Sequence, residues 1–183
     1  MTEFLANVVS WFLFFLPNRR RLRMDIICFF HGFPVRRRAV SVGRGLRCHG
    51  PVSVSRQTEI GEHVYFNGAF VFGGGKVVFG NWVHSGVGLK IFTRNHNYRN
   101  GTAIPYDKAY VMKPVEIGNF VWIGAEVILL PGTKIGEGAV IQAGSVVHGE
   151  IPPLAIAGGN PAKVFAWRDA EHFNRLKAEG RFC

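Results

Sequence analysis

The chain has 183 residues, 48% of them hydrophobic and 19% charged, with a formal net charge of +10 at pH 7. That length suits one compact domain large enough to bury a core, and the hydrophobic content excludes a disordered chain. Three cysteines, Cys28, Cys48 and Cys183, show neither paired spacing nor a metal-ligand pattern, which excludes a disulfide scaffold and suits reduced thiols in a cytosolic setting.

The positive charge is concentrated at the start of the chain, where residues 1–47 carry nine arginines against Glu3 and Asp25. Residues 4–16, "FLANVVSWFLFFL", are apolar but short for a membrane span, and "PNRRRLR" follows them. After "MDIICFFHGF" comes a second basic cluster, Arg36, Arg37 and Arg38. A secretory signal places its charges ahead of the apolar run, the reverse of this order. Apolar helices flanked by arginines suit attachment to the anionic cytoplasmic face of a membrane, and packing of these helices on the rest of the fold is the alternative. Nucleic-acid binding is disfavoured, because the aromatics form apolar runs and not a stacking platform in a basic groove. Residues 1–39 are therefore expected to form a basic, apolar helical segment.

From about residue 40 the chain repeats every six residues. An aliphatic residue opens each unit from 117 onward (Ile117, Ile123, Leu129, Ile135, Ile141, Val147), and a small or β-branched residue stands fifth, ending with Ser145 and Ile151. Earlier, Val42, Cys48, Val54, Ile60, Phe66 and Phe72 lead similar units, and after a slip in "GGGKVV" the pattern resumes at Phe79, Ser85 and Ile91. This period is neither helical nor plain strand alternation; it predicts short extended segments with turns at fixed intervals, a solenoid whose coils bury one apolar row. Glycine at the second position (Gly43, Gly61, Gly118, Gly124, Gly136) is expected at corners that need an unusual backbone conformation. Cys48 reads as a small core hydrophobe.

The repeat stops once, after "IFTRNH". Residues 97–110 read as an excursion, with Val111 resuming the register. A loop leaving a rigid solenoid is where chemistry or a subunit contact is placed. His96 stands at its edge, and a neutral imidazole is suited to general-base work near neutral pH. The remaining histidines form no HxxH or HxxxxH pair, which argues against a zinc site.

The segment "KPVEIGNFVWIGAEVILLPGTKIGEGAVIQAGSVVHGEIPPLAIAGGNPAKVF", above all "VWIGA", "AGSVV", "IPP" and "GNPAKV", resembles the hexapeptide-repeat acyltransferases. The likeness is to the branch of maltose, galactoside and antibiotic O-acetyltransferases and sugar O-acetyltransferases of polysaccharide biosynthesis, and covers about residues 40–165. It implies an all-β fold, a left-handed parallel β-helix with ~18 residues per coil, with short N-terminal helices, one extruded loop and a C-terminal helix over 166–183. It also implies a homotrimer and acetyl-CoA as donor, with no metal. In the Thr-x-x-His pattern of that family the histidine is the general base, and here "TRNH" supplies Thr93 and His96. Ala125 and Ala143 match backbone positions that hold the pantetheine arm, Trp122 an outward wall of the site, Lys163 a basic residue near the nucleotide phosphates, and Asn67 a substrate-contacting asparagine. The chain departs from the small-sugar transferases at Phe72–Gly73 and at His148–Gly149. The function expected is acetyl transfer to a saccharide hydroxyl of a surface polysaccharide or lipopolysaccharide precursor, lipid- or nucleotide-linked, in the cytoplasm or on the cytoplasmic face of the inner membrane. An antibiotic-modifying acetyltransferase and a non-catalytic scaffold are the alternatives.

Overall fold

Hexads become coils because three of them close one triangular turn. In the computed structural model, which describes residues 19–183, Ile117 pairs with Ile135, Ile123 with Ile141 and Leu129 with Val147, so each hexad leader stacks on the leader eighteen residues on. Three parallel sheets result, one for each side of the solenoid, built from about six turns. The apolar run 4–16 lies outside the described residues.

The leaders and fifth-position residues point inward and make one continuous core. Phe66, Ile91, Ile123, Leu129 and Ile141 are fully buried in it. Cys48 is among them, and burial pushes its thiol up to about 12. Backbone N–H groups along the corners bond to the next coil, as Gly124 N–H to the Ile141 carbonyl at 2.8 Å, and so tie each coil to its neighbour.

The outward faces differ. The first carries Glu59, Val78, Glu116, Lys134 and Glu150 in register, with ion pairs such as Lys76–Glu59 at 2.9 Å. The second carries Arg47, Tyr65, His84, Trp122, Val140 and Ile156. The third carries Phe70, Lys90, Ile128 and Val146, beside Phe72 stacked on Phe92 at 4.9 Å. Two sides of the triangle are thus largely apolar and one is charged.

Four expectations need correction. The second-position glycines do not have positive φ; they are glycine because the next coil lies against them, and a methyl at Gly124 would stand 2.5 Å from the Ala143 nitrogen. Where a unit has a left-handed residue it is mostly the fourth instead: Gly45, Gly88, Gly132, Gly138 and Gly144, and also His63, Trp82, Phe120, Glu126 and Leu154 at φ of 53–61°. Phe72 leads no unit, since Ala69 and Val71 pair with the inward Leu89 and Ile91 while Phe72 is 44% exposed. Ile151 is a leader and not a fifth residue, because the last turn is short and Ile151 stacks on Ile135. Val111 does not resume the register: it pairs with Asn95 and is 43% exposed, and the inner row restarts at Val115 and Ile117.

Helix α1 (Arg19–Arg38) packs over the first coil through Gly32 and Val35. At the other end the strand Ala162–Trp167 turns back antiparallel on Ala155–Gly159. Helix α2 (Ala170–Ala178) follows; the Asp169 side chain caps it by accepting the His172 N–H at 2.9 Å. Its Phe173 is buried and meets Phe120 edge-on.

Candidate active site

The excursion leaves the third face immediately after Thr93. Thr93 is fully buried; its hydroxyl donates to the Phe72 carbonyl at 2.9 Å and accepts the Gly75 N–H at 2.9 Å. The Lys113 N–H returns to the Thr93 carbonyl at 2.9 Å, so this one residue anchors both ends of the excursion. Between them Arg94–His96 and Tyr110–Met112 pair as an antiparallel ribbon, with His96 opposite Tyr110.

The His96 ring is held by aromatics. Tyr106 stacks on it at 3.7 Å with planes 21° apart, and Tyr110 tilts against it at 4.7 Å. The Arg94 guanidinium lies 4.0 Å over the Tyr110 ring. Nδ1 of His96 is buried and has no hydrogen-bond partner among the described residues. The ring borders a cavity of about 290 Å³ lined also by Asn95, Asn97, Arg99, Lys113 and Pro131. Sequence reasoning missed the two tyrosines; the only trace of them is their spacing of four on either side of Asp107.

Asp107 organises the loop. Its carboxylate accepts the Ala109 N–H at 2.9 Å, the Thr102 N–H at 3.2 Å and the Asn97 amide at 3.3 Å. The Ala109 N–H above all holds this carboxyl below its usual range. A depressed carboxyl stabilises the folded loop above the ordinary aspartate range and loses that contribution as pH falls through its own lower value. Asp107→Asn is therefore expected to speed amide exchange in residues 97–110 at neutral pH and leave the coils protected; unchanged exchange in that segment would show that Asp107 does not order it.

The other residues singled out from sequence gather elsewhere. Asn67 lies at the corner between the second and third faces, where its amide donates to the Ser85 carbonyl at 2.8 Å and its oxygen meets His49 Nδ1 at 3.2 Å. Ala125 follows Gly124 at the same corner, packed on Gly86, and Ala143 packs in turn on Gly124. Neither the Ala125 nor the Ala143 N–H has an acceptor within the chain among the described residues. Lys163 is paired with Gly158, which stacks on Gln142, so it ends the column one strand beyond the turn above Ala143. A chain of outward amide donors with a terminal cation fits an extended arm bearing amides and phosphates.

Trp122 stands just before this corner, 59% exposed, between His84 and Val140. It borders a cleft of about 690 Å³ shared with Trp82, His84, Phe120 and Phe182. Burial lowers the pKa of His84, which tilts on Tyr65 at 4.3 Å and leaves its Nε2 buried without a partner among the described residues.

His96 is not brought to this corner. It shares a cavity with Pro131, and the run from Ala125 to Pro131 spans one whole side of the triangle, roughly 15–20 Å at ~3.3 Å per extended residue. One chain therefore carries His96 at one corner and the Ala125–Ala143 column at another.

Residues 114–149 match the family model described as bacterial transferase hexapeptide (six repeats). A Staphylococcus aureus (strain MRSA252) protein named "Putative acetyltransferase" is 39% identical over 118 residues, 62% of this chain and 56% of that protein. The chain thus spans about half the length of the curated relatives it matches first. Among solved structures, a maltose O-acetyltransferase from Clostridium difficile 630 is similar with a TM-score of 0.56 and 26% identity over 90% of this chain and 85% of that one. A hexapeptide-repeat acetyltransferase from Vibrio cholerae O1 biovar eltor, solved with acetyl coenzyme A, shares the fold with a TM-score of 0.60 and 22% identity over 90% and 86%. The chain carries the hexapeptide repeat and folds as a hexapeptide-repeat solenoid.

Proposed function

We propose that this hexapeptide-repeat chain is an acetyl-CoA-dependent O-acetyltransferase acting on a saccharide hydroxyl, with its site assembled between two protomers of a homotrimer. The observation that carries this reading is the separation of His96 from the Ala125–Ala143 column within one chain. A base and a donor groove on different corners become one site only when the third face of one protomer meets the second face of the next. Both faces are apolar enough for that contact, with Trp122 at 59% and Phe72 at 44% exposure.

Acetyl-CoA supplies the activated acetyl group. The Ala125 and Ala143 N–H groups would bind its pantetheine amides, Trp122 would wall the arm, and Lys163 would face the phosphates. Asn67, lower on the same corner, would orient the acceptor. His96 would take the proton from the acceptor hydroxyl at an imidazole nitrogen, while an amide at the corner steadies the charge that develops on the carbonyl oxygen. The tyrosines packed on His96 would restrict its rotation. Neither Cys48 nor Cys28 is suited as a nucleophile: Cys48 is in the core, and burial raises the Cys28 thiol. Direct transfer then depends on holding both substrates together, worth up to ~7–11 kcal/mol.

The departures at Phe72–Gly73 and His148–Gly149 favour a larger, surface-polysaccharide or lipopolysaccharide precursor over a small free sugar, and the basic N-terminal segment favours peripheral work at the cytoplasmic membrane. Sedimentation together with a coenzyme A thermal shift and transfer to a panel of lipid- and nucleotide-linked saccharides tests the reading. A trimer that coenzyme A stabilises and that acetylates a saccharide is expected. An active monomer would overturn the assembly, and absence of any coenzyme A effect would leave a scaffold in place of an enzyme.

A further inference from the structure

Helix α1 uses one side to hold the solenoid. Val35 is 1% exposed, Gly32 is buried, and a methyl at Gly32 would touch the Cys48 sulfur at 3.9 Å. The other side carries Leu22, Ile26, Phe29 and Phe33 at helical spacing of four, three and four. Leu22, Phe29 and Phe33 are 43%, 64% and 50% exposed, and the two phenylalanine rings lie 6.0 Å apart. Among the described residues, the two rings meet each other and border Leu46 of the first coil, and their outer edges stay open.

Around this stripe stand exposed Arg23, Arg36 and Arg37, the last with its guanidinium 5.8 Å over the Phe33 ring. A groove of about 300 Å³ between the helix and the first coil is lined by Phe29, Phe33 and Leu46 with Arg36 and Arg47, and Asp25 is the one acid in it. Among the described residues no helix is long and apolar enough to cross a membrane. Aromatic side chains exposed in a line, bordered by cations on both sides, match the chemistry of a bilayer interface, where rings enter the acyl boundary and guanidiniums meet phosphates.

We propose that the outer side of α1 is an interfacial anchor for an anionic phospholipid surface, and that it sets the solenoid with its first coil toward the membrane. Coils stack ~4.8 Å apart. Asn67 on the second turn and the excursion bearing His96 on the third lie nearest the lipid, Ala125 and Ala143 follow on successive turns away from it, and Lys163 lies past the next strand at the far edge. Resting on the acetyl-transfer reading, this orientation offers the acceptor end of the site to a lipid-linked saccharide and the donor end to the cytosol; the lipid contact itself does not depend on that reading.

The test is cosedimentation of the full chain with vesicles of phosphatidylcholine alone or mixed with phosphatidylglycerol, at low and high salt. Binding is expected only to the anionic vesicles and to weaken about tenfold or more in high salt. Phe29→Glu/Phe33→Glu and, separately, Arg36→Gln/Arg37→Gln are expected to weaken it to a similar degree, with thermal unfolding and acetyl transfer to a water-soluble acceptor unchanged. Equal binding to neutral vesicles, or undiminished binding of the phenylalanine double variant, overturns the anchor. So does a fall in oligomeric state of that variant without lipid, which would make the stripe a contact between copies. Because transfer to a soluble acceptor is read in parallel, loss of the anchor and loss of the enzymatic reading are separate results.

Discussion

Replacing His96 with alanine is expected to lower acetyl transfer by ~10²–10⁴-fold, the usual contribution of a general base. At 1.36 kcal/mol per decade that is roughly 3–5 kcal/mol of transition-state stabilisation. Coenzyme A affinity should change by less than about tenfold, because the contacts proposed for the donor come from the Ala125 and Ala143 amides and Lys163 and not from the imidazole. His96→Asn is the stricter variant, since it keeps hydrogen bonding and removes the basicity. Near wild-type transfer by either protein would reduce His96 to a packed loop residue.

Ala143→Trp is expected to do the opposite. Ala143 is exposed at the corner above Ala125, so a large side chain there can be added without entering the core. It would fill the groove proposed for the pantetheine arm. Donor affinity should fall by ~100-fold, about 2.7 kcal/mol, with kcat/KM falling in step and the melting temperature unchanged. Isothermal titration with coenzyme A reads this directly. An unchanged Kd would move the donor away from this corner.

Much of the molecule was legible because the side-chain period is unambiguous: leaders such as Ile117, Ile135, Ile123 and Ile141 stack as the hexads require. The single long interruption was legible for the same reason. What failed were the places where the backbone, and not hydrophobicity, sets the count. Gly68 and the Gly73–Gly74 pair take positive φ and shift the register around Phe72, and no apolar pattern records such a shift. Val111 stands six residues before Ile117, in step with the leaders, so it looked like a returning one although the ribbon pairs it with Asn95.

Glycine marks the left-handed fourth position at Gly45, Gly88, Gly132, Gly138 and Gly144, but elsewhere its occupants hid it. Bulky residues in that conformation cost roughly 1–2 kcal/mol each, which makes glycine the natural expectation. His63 stacks on Trp82 at 4.1 Å, and Phe182 lies 5.1 Å from Trp82 and 5.0 Å from Phe120. Aromatic contacts of ~0.5–1.5 kcal/mol, beyond the area they bury, offset that strain and line one corner with rings. Of the candidate site, the residue types were readable but their grouping was not. Asn67, Ala125, Ala143 and Lys163 share a corner and His96 does not, a fact that appears only when the coils are closed.

That separation is the central claim, and subunit mixing tests it most directly. His96→Ala and Ala143→Trp proteins, each slowed by ~100-fold or more alone at subsaturating donor, are unfolded together, refolded and assayed under that condition. If each site takes its base from one protomer and its donor groove from the next, random trimers restore intact pairs at about a quarter of their interfaces. Acetyl transfer should then return to on the order of a quarter of the wild-type rate. If base and groove come from the same protomer, no mixed trimer holds an intact site, and the mixture stays as inactive as its parts.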